Sequence, residues 1–145
     1  TRRPWQRLAL VSGVLLSVPP WGWCAAPRSG TASFYNVDSA IREQTCTHPR
    51  QRRCLMANGR ALEDEAFTAA SWDYPFSTRL EVCPQLRVPR SQVTPVCVWV
   101  VVTDRGPAKR LYRQGRILDL SQAAFQALAP LAQGIVQVTV EAIPE

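Results

Sequence analysis

Val98-Trp99-Val100-Val101-Val102-Thr103-Asp104-Arg105-Gly106-Pro107 joins an apolar run long enough for a buried strand to a carboxylate and a turn. Burial at a strand end disfavours the ionised form of an acid, so Asp104 is expected to be moved toward the range in which it can donate a proton. The neighbouring Arg105 pulls the other way. Asp, Gly and Pro are also ordinary turn residues, and a plain turn explains the same spacing.

Working outward, the other strand-like segments are short. Thr31 to Tyr35 is short and aromatic, and Arg79 to Cys83 alternates. Ile135 to Ala142 places Val136, Val138, Val140 and Ala142 on one face. One helix is expected, with Leu120, Ala123, Ala124, Ala127, Leu128 and Leu131 at three-and-four spacing. In that reading Asp119 caps the helix, Gln122 follows three residues on, and Pro130 with Gly134 stops it. Turn residues between short strands argue for a compact, mostly β barrel carrying one or two short helices.

Residues 1–26 have the pattern of a secretory signal peptide. Arg2, Arg3 and Arg7 precede the uncharged segment Leu8 to Val18, and Pro19-Pro20, Gly22 and Ala25-Ala26 form a small-residue exit. The apolar segment is well short of the roughly 20 residues that span a bilayer, so export to the periplasm or cell envelope is expected, with no transmembrane segment in the mature form. Thr1-Arg2-Arg3-Pro4-Trp5 is similar to a twin-arginine signal, but Trp5 and Gln6 fit it poorly, and general secretion is the expectation. Cys24 follows Trp23 where lipid attachment needs a small residue, so a lipid anchor is not expected.

Residues 27–145 then form one domain, carrying a charge of about +3. That is too mild for a nucleic-acid binder, and the basic residues Arg42, Arg50, Arg52 and Arg53 gather in or beside one insert. Cys46, Cys54, Cys83 and Cys97 are an even set, suited to disulfides in an oxidising compartment. Of the three pairings, Cys46 with Cys54 and Cys83 with Cys97 are favoured: the first closes a short insert, and the second brackets a loop between two strand-like runs. No metal site or cofactor is expected, since there is no C-x-x-C and His48 is the one histidine.

Gly30-Thr31-Ala32-Ser33-Phe34-Tyr35, Ala57-Asn58-Gly59-Arg60, Phe67-Thr68-Ala69-Ala70, Pro75-Phe76, Thr103 to Pro107 and Gly115-Arg116-Ile117-Leu118-Asp119-Leu120-Ser121 occur in that order. In this the chain resembles the rare lipoprotein A family over about Gly30 to Glu141. The resemblance implies a six-stranded double-psi β-barrel, stapled here by disulfides, in a bacterial envelope protein that cleaves peptidoglycan glycan strands. It implies a lytic transglycosylase, in which one carboxyl protonates the leaving oxygen and accepts a proton from the 6-hydroxyl of muramic acid, leaving a 1,6-anhydro end. Asp104 matches the family's acid. A histidine normally follows the Thr-Ala-Ala block in that family; here it is Ser71, whose hydroxyl can only orient a sugar or water.

Around Asp104 the auxiliary candidates are Ser71, Asp73, Arg105 and Asp119, with Trp72, Tyr74 and Trp99 as surfaces for sugar stacking. Each has a plain alternative: core packing for the aromatics, an exposed turn for Arg105 and helix capping for Asp119. The expected partner is the peptidoglycan glycan strand and the expected state a monomer. A non-catalytic glycan-binding module and a disulfide-stapled interaction or inhibitor protein are the rival classes.

Overall fold

In the computed structural model, residues 26–46, 49–51, 53–86 and 95–145 are described. The leader up to residue 25 with Cys24, and also His48 and Arg52, lie outside them. Six strands close into a barrel: β1 (Arg28–Tyr35), β2 (Thr68–Ala70), β3 (Arg79–Pro84), β4 (Val98–Asp104), β5 (Arg116–Ser121) and β6 (Val136–Ala142), ordered β1-β5-β2-β4-β3-β6. The β1–β5 and β2–β4 pairs are parallel and the other four are antiparallel, the interlocked arrangement of a double-psi barrel.

Alternation builds this wall. Val98, Val100 and Val102 of β4 and Val136, Val138 and Val140 of β6 point inward, because successive side chains of a strand face opposite ways. The unbroken apolar run of β4 is therefore not buried on both faces, and Trp99 stands outside with 62% of its surface exposed. Leu80, Val82, Leu118 and Leu120 complete the interior, each side chain contributing about 1.5–3 kcal/mol by leaving water.

Among the described residues three short helices connect the strands: α1 (Val37–Arg42), α2 (Lys109–Arg113) and α3 (Gln122–Leu128). The sequence marks α3 but misplaces its start. Leu120 lies in β5 and Leu131 in a separate 3-10 turn, so the buried face of the helix is Ala124 and Phe125, with the Phe125 ring 4.9 Å from that of Phe34. Asp119 caps nothing. It is a strand residue, the residue before the helix is Ser121, and no side chain caps α3.

Between β1 and β2 the chain forms a second small core of Val37, Cys46, Cys54, Met56 and Leu62, closed by a Cys46–Cys54 disulfide. Asn36 and Ser39 form a reciprocal capping box at the start of α1, and the Asp64 carboxylate accepts the Val37 N–H at 2.8 Å. Cys83 and Cys97 are bonded across the β3–β4 pair. Gly30 permits β1 to approach its neighbour, since a Cβ there would lie 2.7 Å from the Gly115 carbonyl oxygen. None of the described helices is long and apolar enough to cross a membrane.

Candidate functional site

A cleft of about 500 Å³ opens where β1, β2, β4 and β5 end against the small second core. Its floor is set by the barrel's register. Ala70 of β2 pairs with Asp104 of β4 on one side and with Asp119 of β5 on the other, which brings two carboxylates to one row of the sheet. The register shifts between Ala69 and Ala70, where one step along β2 spans two along β4, leaving Thr103 as the extra residue beside Asp104.

Asp104 is oriented by the backbone. Its Oδ1 accepts the N–H of Ala57 at 2.9 Å and of Arg105 at 2.8 Å, while its carbonyl accepts the Ser71 N–H at 3.1 Å. The 54–62 hairpin supplies Ala57: it is closed by the Leu55–Ala61 bridge, and Asn58 N–H and Met56 Sδ bond the carbonyl and hydroxyl of Thr103. The cross-linked insert is thus one wall of the cleft and a clamp on the end of β4.

Asp119 has a different environment. The Ser33 hydroxyl donates to its Oδ1 at 2.5 Å. Burial is the main influence and pushes its carboxyl above the ordinary value of 3.8; Ser33 and Arg116 oppose that shift, and Glu43 and Asp104 add to it. Tyr35 lines the same cleft, with its hydroxyl 3.4 Å from the Thr68 hydroxyl, and burial pushes its phenol up to about 12. Across neutral pH it is a hydroxyl donor. Gly106 closes the opposite bank: a Cβ there would meet the Ala70 methyl at 3.2 Å and Asp119 Oδ2 at 3.6 Å.

Of the residues singled out from the sequence, Asp104, Arg105 and Asp119 meet at this cleft. Arg105 is nevertheless committed elsewhere. Its Nη1 donates to the carbonyls of Ser71 and Tyr74, both at 2.7 Å, and its guanidinium lies 4.0 Å over the Phe76 ring. It fastens the β2–β3 connection to the end of β4. Ser71 is fully buried, and its hydroxyl accepts the Asp73 N–H, so it presents nothing to the cleft. Tyr74 belongs to the barrel core, which removes it as a stacking surface.

Trp72 and Asp73 are not among the residues that line the cleft. Trp72 donates from Nε1 to the Pro107 carbonyl at 2.6 Å, and Lys109 Nζ sits 3.5 Å from the ring centre. Asp73 accepts from Arg28 at 2.8 Å and from the Tyr112 hydroxyl at 2.5 Å. Trp99, five residues before Asp104, bonds Glu81 on the outer wall of the barrel. Sequence reasoning did not single out Ser33, Tyr35 or Ala57 individually, although the first two alternate along a strand that ends at the cleft.

A family model described as lytic transglycolase matches residues 28–140. A protein of Nostoc sp. (strain PCC 7120) named "Probable endolytic peptidoglycan transglycosylase RlpA" is 36% identical over 87 residues, which cover 60% of this chain and 20% of that protein. The chain thus matches about a fifth of that relative's length. Among solved structures, the Streptomyces papain inhibitor superposes with a TM-score of 0.53 at 20% identity, covering 83% of this chain and 97% of the inhibitor, a likeness of fold. The extent of the family match, together with the closed six-stranded barrel, establishes that this chain belongs to the lytic transglycolase family of RlpA-like double-psi β-barrels.

Proposed function

We propose that this domain is a lytic transglycosylase that opens peptidoglycan glycan strands between muramic acid and glucosamine, with Asp119 and Asp104 dividing the proton transfers. The observation that carries this reading is the pair of carboxyls flanking Ala70 at one cleft, of which Asp119 holds its proton more tightly than an ordinary aspartate. A carboxyl so placed donates to a leaving oxygen. Asp104, fixed by two backbone N–H groups, is oriented to accept.

The step balances as follows. The bond between C1 of muramic acid and the bridging oxygen breaks, and Asp119 gives its proton to that oxygen, which becomes the 4-hydroxyl of glucosamine. The 6-hydroxyl oxygen of the same muramic acid bonds to C1 and loses its proton to Asp104. The products are a 1,6-anhydro end and a new free 4-hydroxyl, and proton exchange with solvent restores both acids. No water is consumed, which distinguishes the outcome from hydrolysis by a carboxyl pair. Tyr35 is a neutral donor available to hold a sugar hydroxyl in the same cleft.

Two disulfides suit a protein of the oxidising cell envelope. Incubating the purified domain with glycan strands stripped of stem peptides, and analysing the products by mass spectrometry, should show anhydro-muramyl ends; their absence overturns the reading. The burial of Ser71, at the position where a histidine normally follows the Thr-Ala-Ala block in the resembling family, favours one alternative: a glycan-binding module without catalysis. That alternative predicts strand binding without product.

A further inference from the structure

Between Arg105 and Arg116 the chain carries five cations and no acid, and three of the five, Lys109, Arg110 and Arg113, are exposed on α2. This helix begins directly after Ala108, which lines the cleft. The floor of the cleft has the opposite sign: Glu43 and Asp104 line it beside Asp119, the proton donor of the reading above, and the lining cation among the described residues, Arg105, is held by two carbonyls. Lys109 rests its ammonium over the Trp72 ring, 3.5 Å from the centre, on the exposed surface beside the cleft. It opens the helix, at the end where a positive charge opposes the helix dipole, and no acid stands in the first turn.

Resting on the reading of the cleft as a glycan site, we infer that α2 is a docking face for carboxylates carried by the strand as it leaves the cleft. The ligand class that fits is a glycan whose negative charges are sparse and lie to the side of the sugar chain. A neutral stretch then crosses the acidic floor while a neighbouring carboxylate reaches Lys109, Arg110 or Arg113. The lactyl carboxylate of muramic acid in a stripped strand has this character. A nucleic-acid backbone, charged at every unit, meets the acidic floor wherever it enters the cleft.

The test compares two forms of one strand preparation, the lactyl carboxylates being left free or converted to methylamides. Binding is measured by fluorescence anisotropy of end-labelled strands at low salt and at about 0.3 M salt. The free form should bind about tenfold more tightly than the amide at low salt and lose that advantage at high salt. The variant K109E/R110E/R113E should bind the free form no better than wild type binds the amide. Its binding of the amide should be unchanged, which shows that the variant is folded.

Equal affinity for the two strands, an unaffected variant, or stronger competition by a single-stranded oligonucleotide of equal charge overturns the inference. Cleavage of both strands at equal rates would refute the docking face and leave the transglycosylase reading intact. Carboxylate-dependent binding through α2 without any anhydro product would do the reverse.

Discussion

Asp104 and Asp119 occupy one register row of the barrel, each paired to Ala70 from an opposite side. Two strand spacings separate their backbones, about 9–10 Å, and both side chains reach the cleft between them. With roles divided as proposed, Asp119→Asn should lower kcat about a hundredfold or more by removing the donor, with KM little changed. Asp104→Asn should lower kcat similarly. The asparagine can keep Oδ1 as acceptor for Ala57 and Arg105, whereas Asp104→Ala leaves both N–H groups unpaired and should cost a further ~1–2 kcal/mol of stability. Kinetics of anhydro-end release and urea unfolding of the three variants check this.

The raised carboxyl of Asp119 has a thermodynamic consequence of definite sign. The folded protein binds this proton more tightly than the unfolded chain, whose value is near 3.8. Between that value and the raised one the folded state holds more protons, so the contribution of Asp119 to stability falls as pH rises through the window. Below the window the contribution is flat and above it the penalty is complete. Asp119→Asn should remove this slope and be more stable than wild type at neutral pH. Urea midpoints measured across the acid range test it, and an identical slope in the variant would refute the assignment.

Gly106 sets how closely the turn after β4 approaches the floor. In Gly106→Ala the new methyl would press on the Ala70 methyl at 3.2 Å and stand 3.6 Å from Asp119 Oδ2. Both neighbours belong to the sheet, so relief must come from the turn. A loss of about 1–2 kcal/mol is expected, with a fall in activity larger than that stability change explains, because the shift falls beside the donor. Activity assayed well below the melting transition separates the two effects.

Much of the barrel was legible because its strands alternate or terminate cleanly: Val136, Val138 and Val140 repeat with period two, and the Val98 run stops at Asp104. Asp119 was misread because Asp-Leu-Ser-Gln before an alanine-rich stretch has the form of a helix cap. The pairing of β5 between β1 and β2, a long-range fact, keeps Asp119 in the sheet, where it lines the cleft while Leu118 and Leu120 on either side enter the core. Arg105 and Tyr74 resisted local reading for a similar reason, since their partners are set by how the β2–β3 connection folds over the end of β4. The disulfide partners could be anticipated because one pair closes a short insert and the other brackets a strand pair.

Arg105 stands beside Asp104, the proposed proton acceptor, in a place that suits a ligand-binding group. Its contacts argue for a fastening role: two carbonyls 31 and 34 residues away accept from one nitrogen, and the guanidinium plane covers Phe76. Arg105→Ala should therefore cost about 2–4 kcal/mol. Arg105→Lys should recover little, because an ammonium cannot reproduce the planar fork over an aromatic face. The salt dependence of strand binding should be the same in Arg105→Lys as in wild type. Thermal melts and anisotropy titrations at two salt concentrations measure both quantities; a stable Arg105→Lys variant with weakened, less salt-sensitive binding would assign this arginine to the ligand instead.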